Sequence, residues 1–231
     1  MGLRFALWTA ALQLILARES VAQFTQEIEN AVAQATVLVS QASRRGTGAV
    51  FARDGNIGHV LTAYHCVDML APIQLTVTTV KGAVMANLVG FDRAKDLAHL
   101  SFTADRIPNP LAIADAPVNP GEEVITSGYG DLGYVTLLHM TALDLTDHRR
   151  TTTNIGRPGR SGGPVVDRRA AIVGVWFGHS STQGLFCDLP HVRHFLFSPQ
   201  AAYLAKQLAH GESWTFRHAG LQVTVVMRSD P

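Results

Sequence analysis

Short apolar or alternating runs, separated by Gly, Pro, Asn and Asp, fill most of the chain from Ala35 onward. Alternation with a period of two is typical of half-buried β-strands, and turn-forming residues mark the strand ends. The pattern predicts two sets of about six strands. The predicted strands are Ala35–Ser40, Gly48–Phe51, His59–Thr62, Ile73–Val80, Ala83–Val89, Leu97–Phe102, Val124–Gly128, Tyr134–Leu145, Thr151–Ile155, Pro164–Asp167, Ala170–Phe177 and Leu185–Leu189.

The two sets of strands predict an all-β protein with two similar halves. The first half covers about residues 35–102, and the second half covers residues 123–190. Between them lies a polar, proline-bearing stretch, residues 103–122, which we expect to be a linker. Strands at this spacing are typical of an antiparallel barrel or sandwich.

Helical patterns flank the β region. Thr25–Ala33 predicts a short helix with its first residue as the N-cap. At the other end, residues 191–231 predict a helix over about Pro199–His210, ended by Gly211, and then a hairpin through Trp214–Met227. These final residues are too few for an accessory peptide-binding domain, so we expect none.

The first 22 residues have the pattern of a secretory signal peptide. Arg4 supplies a positive start, an apolar run follows over residues 5–17, and Ser20 and Ala22 are small residues at the two positions read by a signal peptidase. A membrane anchor is disfavoured, because a helix this short rises only about 20 Å against a hydrocarbon core of roughly 30 Å. We expect cleavage after Ala22, which would export residues 23–231 to the periplasm or the cell exterior without a stable membrane span.

Composition narrows the class of protein. The chain has 47% hydrophobic and 16% charged residues, and its formal net charge is +1, as expected for a globular domain. This balance provides no positive field for nucleic acid. Two cysteines are too few for a disulfide scaffold or a Cys-only zinc site. We expect Cys66 and Cys187 to be free, buried thiols, with a bridge between them as the alternative in an oxidising compartment.

The strongest local motif is GRSGGP at Gly159–Pro164. A serine hydroxyl is a poor nucleophile unless the backbone holds it clear, a base takes its proton and donors stabilise the resulting oxyanion. Glycines around Ser161 permit a turn in which the amides of Gly159 and Ser161 point at one spot and form an oxyanion hole. The competing interpretation is an ordinary glycine-rich turn.

Two further motifs place an imidazole and a carboxylate at the ends of predicted strands. In LTAYHCV, His65 follows a strand end, and in KDLAHL, Asp96 immediately precedes a strand. A lone histidine is usually structural, and a lone aspartate in this position is usually a turn residue. Asp92 is the competing carboxylate.

No metal site or cofactor is predicted from the histidines. His191 and His194 lie about one helical turn apart, but no third ligand at a suitable spacing accompanies them. We expect both on the surface of a helix.

Taken together, the motifs resemble those of the trypsin-like serine peptidases, and among them the bacterial Deg/HtrA-like branch. The order His65, Asp96, Ser161 is also that of the family. The resemblance implies two six-stranded antiparallel β-barrels with the active site in the cleft between them. It runs from about Gly46 to His194 and rests on GTGAVF, LTAYHC, KDLAHL, IADAPVNPGEEVITSGYG, GRSGGPVVD and GLFCDLP.

The resemblance also implies a role for each site residue. Ser161 would be the nucleophile, His65 the general base and then acid, and Asp96 the group that orients and stabilises the imidazole. The amides of Gly159 and Ser161 would hold the oxyanion. Polypeptides would be the substrates.

Two departures from the digestive members of the family bear on activation and specificity. Arg160 stands where those enzymes carry an acid that pairs with a freed N-terminus, so we expect no activation by N-terminal insertion. Ile155, six residues before the nucleophile, would form the base of the specificity pocket and offers no charge to Lys or Arg. With Trp176, Phe177 and Gly184 as further pocket residues, we expect a preference for uncharged aliphatic or aromatic residues on the acyl side of the cut.

The sequence therefore predicts an exported serine endopeptidase that works through an acyl-enzyme. One alternative is a catalytically inactive relative that serves as a binding or scaffold module. It is disfavoured because all three triad residues and the oxyanion glycines are present, whereas inactive copies commonly lose at least one. A lectin-like or structural β protein would explain the strands but not the three motifs.

Overall fold

The computed structural model describes residues 24–41, 44–67, 76–79, 81–130 and 133–197, together with two hairpin strands at residues 214–218 and 221–225. The predicted signal peptide and the predicted helix Pro199–His210 lie outside these residues. Within the described ranges, no helix combines the length and the apolar character needed to cross a membrane.

Twelve strands form two closed antiparallel barrels of six strands each, which confirms the predicted fold. In the first barrel the strands are β1 (Thr36–Gln41), β2 (Arg44–Asp54), β3 (Ile57–Ala63), β4 (Thr76–Thr79), β5 (Gly82–Asp92) and β6 (Leu97–Thr103). In the second they are β7 (Glu123–Gly128), β8 (Thr136–Thr146), β9 (Arg149–Thr152), β10 (Pro164–Val166), β11 (Ile172–His179) and β12 (Gly184–Asp188). The orders around the barrels are β1-β2-β3-β6-β5-β4 and β10-β11-β12-β9-β8-β7.

The alternation that predicted the strands also fills the barrels. In β1, Val37 and Val39 are fully buried and pack in the first barrel with Leu100 of β6. In the second barrel, Trp176 of β11 and Phe186 of β12 are the largest buried side chains. Alternate residues of a strand face the interior, so each closed barrel has a hydrophobic centre of its own.

A helix at the start of the described chain packs against both barrels. Helix α1 spans Gln26–Ala35, and the Thr25 hydroxyl accepts a hydrogen bond from the Ile28 amide at 3.4 Å, so the predicted N-cap is confirmed. Val32 is fully buried in the hydrophobic cluster shared by the two barrels. Its packing there ties the helix to the interface of the barrels.

A helix follows the last strand of the second barrel directly. Helix α2 spans Leu189–Phe197 and carries His191 and His194, which the sequence placed on a helix, whereas the predicted helix Pro199–His210 lies outside the described residues. Val192 of α2 is fully buried in the cluster between the barrels, and this burial stabilises the helix. The predicted hairpin is confirmed by the paired strands β13 (Trp214–His218) and β14 (Leu221–Val225).

The segment between the barrels is hydrogen-bonded to both of them. The Leu111 amide donates to the Val50 carbonyl of the first barrel at 2.9 Å, and the Ala114 amide donates to the Ile172 carbonyl of the second at 3.0 Å. This segment therefore fixes the orientation of one barrel against the other and so sets the geometry of the cleft.

Candidate active site

A histidine and an aspartate meet at one edge of the first barrel. Strands β3 and β6 are paired, with Ala63 opposite Leu97, so the residues just beyond these positions are neighbours. His65 lies in a short 3-10 turn, Tyr64–Cys66, that follows β3. Its Nδ1 is 2.6 Å from Oδ2 of Asp96, the residue immediately before β6. The pairing register thus brings together two residues that are distant in sequence.

The Asp96 carboxylate is held in place by several main-chain contacts. Its Oδ1 accepts a hydrogen bond from the His65 amide at 2.9 Å, and the Asp96 carbonyl accepts one from the Tyr64 amide at 3.1 Å. Asp96 has a φ of +56°, a left-handed conformation that aspartate tolerates better than most residues. The carboxylate and a contact with the Cys66 side chain raise the pKa of the His65 imidazole above its usual value of 6.5.

The competing carboxylate, Asp92, has a different role in the structure. Its Oδ1 accepts hydrogen bonds from the amides of Ala94 and Lys95, at 2.9 and 3.1 Å. These bonds close the turn that leads into Asp96. Asp92 therefore shapes the turn, and Asp96 is the carboxylate that contacts the imidazole.

Ser161 lies on the loop between β9 and β10, and this loop is bonded to the opposite barrel. The Thr47 amide in β2 donates to the Ser161 carbonyl at 2.6 Å, and the Thr47 hydroxyl donates to the Gly159 carbonyl at 2.8 Å. The Cys66 thiol, next to His65, also donates to the Ser161 carbonyl at 3.4 Å. The serine is thus held across the cleft from the first barrel, beside the histidine turn.

The loop that carries Ser161 is also hydrogen-bonded to strand β11 of the second barrel. The Gly162 amide donates to the Trp176 carbonyl at 2.6 Å, and the Trp176 amide donates to the Gly163 carbonyl at 2.9 Å. The Ser161 hydroxyl donates to the Phe177 carbonyl at 3.4 Å. Among the described residues, no hydrogen bond joins this hydroxyl to the His65 imidazole.

The backbone around Ser161 leaves two amides without a partner. Neither the Gly159 nor the Ser161 N–H donates a hydrogen bond within the part of the chain that the structure describes. Gly159 has a φ of +85°, and a Cβ there would lie 3.0 Å from the Gly130 backbone, so the turn requires glycine on two grounds. Unpaired amides at a loop of this kind are suited to hold a negatively charged oxygen.

Arg160 points away from the cleft and into the second barrel. Its side chain is buried, its Nη1 donates to the carbonyls of Thr126 and Thr136, and its Nη2 donates to the Thr136 hydroxyl at 2.7 Å. Burial lowers the pKa of the guanidinium to about 10, so it stays charged at neutral pH. Arg160 therefore anchors the loop that carries the serine.

The four predicted pocket residues lie in different environments. Ile155 is 43% exposed, whereas Trp176 is 1% exposed and belongs to the core of the second barrel. The Phe177 ring lies 6.5 Å from that of His148, and its main-chain carbonyl accepts from Ser161. Gly184 is buried at the start of β12. Phe177 thus reaches the serine through its backbone, and Trp176 belongs to the packed interior.

The cysteines and the remaining histidines show no arrangement for metal binding. Cys66 and Cys187 are both free and buried, and burial raises the pKa of the Cys187 thiol to about 12. His191 and His194 lie on α2, as expected. Across the described residues, no group of three or more His, Cys, Asp or Glu side chains is placed to hold a metal ion.

Two residues of the site had no role assigned from the sequence. Thr47 lies in the GTGAVF motif, but its contacts with Gly159 and Ser161 depend on how the barrels dock. The sequence indicates only the charge of Arg160, because its anchoring contacts with β7 and β8 depend on tertiary packing. The short polar residue between two glycines at Gly46–Gly48 is the one local signal that could have drawn attention to Thr47.

The fold and the three motifs are those of a known family. The profile of the trypsin-like peptidase domain matches residues 46–175, more than half of the chain, and the protein belongs to this family. The chain is 25% identical over 175 residues to the Serine protease Do-like HtrA of Lactococcus lactis, covering 65% of this chain and 43% of the relative. It is 29% identical over 143 residues to a Probable periplasmic serine endoprotease DegP-like of Chlamydia trachomatis, covering 57% of this chain and 27% of the relative. The chain thus spans less than half the length of these relatives.

Solved structures show the same fold. The Rv3671c protease from M. tuberculosis in its active form superposes with a TM-score of 0.65 at 23% identity, covering 77% of this chain and 86% of the other. The serine endoprotease from Yersinia pestis superposes with a TM-score of 0.62 at 21% identity, covering 81% of this chain and 67% of the other. At these identities the likeness concerns the fold.

Proposed function

We propose that this protein is an exported serine endopeptidase that hydrolyses peptide bonds through Ser161, His65 and Asp96. The observation that carries the proposal is the 2.6 Å contact between His65 Nδ1 and Asp96 Oδ2. The loop that contains Ser161 and two unpaired amides lies next to this pair, because the Cys66 thiol donates to the Ser161 carbonyl. The names of the relatives, all serine proteases, support the same reaction class.

In the proposed reaction, substrate binding turns the Ser161 hydroxyl from the Phe177 carbonyl toward His65 Nε2. Hydrogen bonds of this kind are often long or misaligned before substrate binds. The oxygen then attacks the scissile carbonyl carbon while His65 takes the hydroxyl proton. Asp96 accepts from Nδ1–H and stabilises the imidazolium that results.

The amides of Gly159 and Ser161 would hold the oxyanion of the tetrahedral intermediate. The C–N bond breaks as His65 gives its proton to the leaving amine, which leaves an ester on Ser161. Water then adds to this ester with the same proton transfers and releases the carboxylic acid and the free serine. Loss of one such donor in comparable sites costs on the order of 10²–10³ in rate.

The proposed location outside the cytoplasm is supported by the N-terminal pattern of Arg4, the apolar run and Ala22. One relative is named as periplasmic, which agrees with it. Mass spectrometry of the protein recovered from a secreting host tests the location. We expect a mature chain beginning at Gln23, and recovery of the intact precursor from the cytoplasm would contradict it.

Labelling with a fluorophosphonate probe tests the proposed activity, because the probe reacts with an activated serine. We expect the wild type to be labelled and Ser161→Ala to be inert. Ser180→Ala is the matched control, because Ser180 is an exposed serine whose hydroxyl accepts from the Gln183 amide in a turn of its own. A folded wild type that takes up no probe would instead favour the inactive binding module.

A further inference from the structure

A tryptophan ring fills the space behind the loop that carries Ser161. The indole of Trp176 lies between Gly156, on that loop, and Gly184, at the start of β12. A Cβ at Gly156 would lie 2.6 Å from Cζ2 of the ring, and a Cβ at Gly184 would overlap its Cη2. The ring therefore leaves no room for a side chain at either glycine.

The two glycines are explained by space and not by backbone conformation. Neither Gly156 nor Gly184 has a positive φ, unlike Gly159 and Gly162. Any residue could adopt their conformations, but a side chain on either would collide with the indole. Both positions thus accommodate the Trp176 ring.

The gap filled by the indole lies close to Ser161, because Phe177, the residue after Trp176, accepts a hydrogen bond from the Ser161 hydroxyl. The carbonyl under attack must lie against the Ser161 hydroxyl with its oxygen toward the Gly159 and Ser161 amides. On the proposed function, the side chain on its acyl side would then be directed toward the gap between Gly156 and strand β11. Trp176 lies in this strand and precedes Phe177. The Phe177 carbonyl accepts a hydrogen bond from the Ser161 hydroxyl.

The ring is also fixed in position. Trp176 is 1% exposed and packs with the core of the second barrel. Its carbonyl and its amide are bonded to Gly162 and Gly163 of the loop, at 2.6 and 2.9 Å. Moving the indole aside would empty a large volume of the core, which is costly in a closely packed interior.

We propose that Trp176 sets an upper limit on the size of the residue at the acyl side of the cleaved bond. Small side chains such as those of Ala and Val fit above the ring, and those of Phe and Leu do not. The inference rests on the proposed function and narrows the sequence expectation, which admitted aromatic residues at this position.

A series of peptidyl diphenyl phosphonates that differ only in the acyl-side residue tests the inference. With Ala, Val, Leu and Phe at that position, we expect the rate of inactivation of the wild type to fall at least about 100-fold from Ala to Phe, because steric exclusion adds to the modest discrimination of an apolar site. In Trp176→Ala, we expect the ratio of the Phe rate to the Ala rate to rise by about 100-fold.

Phe102→Ala is the matched control, because Phe102 is a fully buried aromatic residue in the core of the other barrel. This variant destabilises the protein but leaves the Trp176 ring in place. The ratio of its inactivation rate by the Phe compound to that by the Ala compound should therefore equal the wild-type ratio. If Trp176→Ala does not fold, Trp176→Leu, which removes less volume, should show an intermediate ratio. The rates of the wild type with the four compounds test the size limit without any variant.

A wild type that reacts with the Phe compound as fast as with the Ala compound overturns the inference and leaves the proposed function intact. A folded Trp176→Ala or Trp176→Leu protein with an unchanged ratio also overturns it, as does a wild type that reacts with the Phe compound but not with the Ala compound. A wild type that reacts with neither the phosphonates nor the fluorophosphonate contradicts the proposed function itself.

Discussion

The Thr47 amide of the first barrel donates a hydrogen bond to the Ser161 carbonyl of the second at 2.6 Å. The Thr47 hydroxyl donates to the Gly159 carbonyl and accepts from the Tyr129 amide at 3.1 Å. One residue thus holds both ends of the turn that contains the unpaired amides, the Ser161 end through its backbone amide and the Gly159 end through its hydroxyl. The position of the candidate oxyanion hole therefore depends on the docking of the barrels.

Replacing Thr47 with valine should disturb this turn. The variant keeps the shape of the side chain and leaves the Gly159 carbonyl and the Tyr129 amide without their partner, which costs about 1–3 kcal/mol of stability. We expect a lower rate of fluorophosphonate labelling together with a lower midpoint of chemical denaturation. Thr47→Ser keeps the hydroxyl and should preserve both quantities; equal losses in the two variants would exclude this role for the hydroxyl.

The two aspartates near the turn into β6 should respond differently to the same change. Asp96→Asn removes the charge that orients His65, and we expect the rate of labelling to fall by roughly 10⁴-fold. Asp92→Asn retains an oxygen that can accept from the Ala94 and Lys95 amides, so its rate should stay near that of the wild type. Similar rates in the two variants would contradict the assignment of Asp96.

The pH dependence should follow the raised pKa of His65. The Asp96 carboxylate and the Cys66 side chain favour the imidazolium, but only the neutral imidazole can accept the Ser161 proton. Activity should therefore be lost as the pH falls through the His65 pKa, with a midpoint above 6.5. Labelling rates measured across the pH range check this, and the midpoint of residual activity in Asp96→Asn should be lower. A wild-type midpoint at or below the ordinary value would be inconsistent with the contact.

The environment of Arg160 predicts that activity is independent of a freed N-terminus. The guanidinium is bonded to Thr126 and Thr136 inside the second barrel, so it offers nothing to a positively charged amino group. A protein with extra residues before Gln23 should label as fast as the mature chain. Strict inactivity of the extended protein, reversed by trimming, would contradict this.

The strands were predictable because successive residues of a barrel strand point alternately into the core and toward solvent. Each of the twelve predicted runs overlaps an observed strand, since alternation such as that around Val37 and Val39 needs no knowledge of distant contacts. The bounds of helix α2 are not predictable in this way, although His191 and His194 were expected on a helix. The Val192 side chain of this helix is fully buried between the barrels, and no local pattern reveals that packing.

The same distinction applies to the site. His65 and Asp96 carry signals in their own neighbourhoods, a strand end and a strand start, and the structure brings these two into contact. The anchoring contacts of Thr47 and the position of the Trp176 ring depend on side chains from separate strands. A pocket wall and a core residue look alike in sequence, because both are apolar residues at alternating positions.

The bonds of the linker, through Leu111 and Ala114, have a consequence for thermal behaviour. Together with the bonds from Thr47 to the serine loop, they join the barrels at two separate places. Heating should consequently disassemble both halves in a single calorimetric transition. The rate of fluorophosphonate labelling and the folded fraction should then fall at the same temperature. We do not expect labelling to be lost while the rest of the protein is still folded.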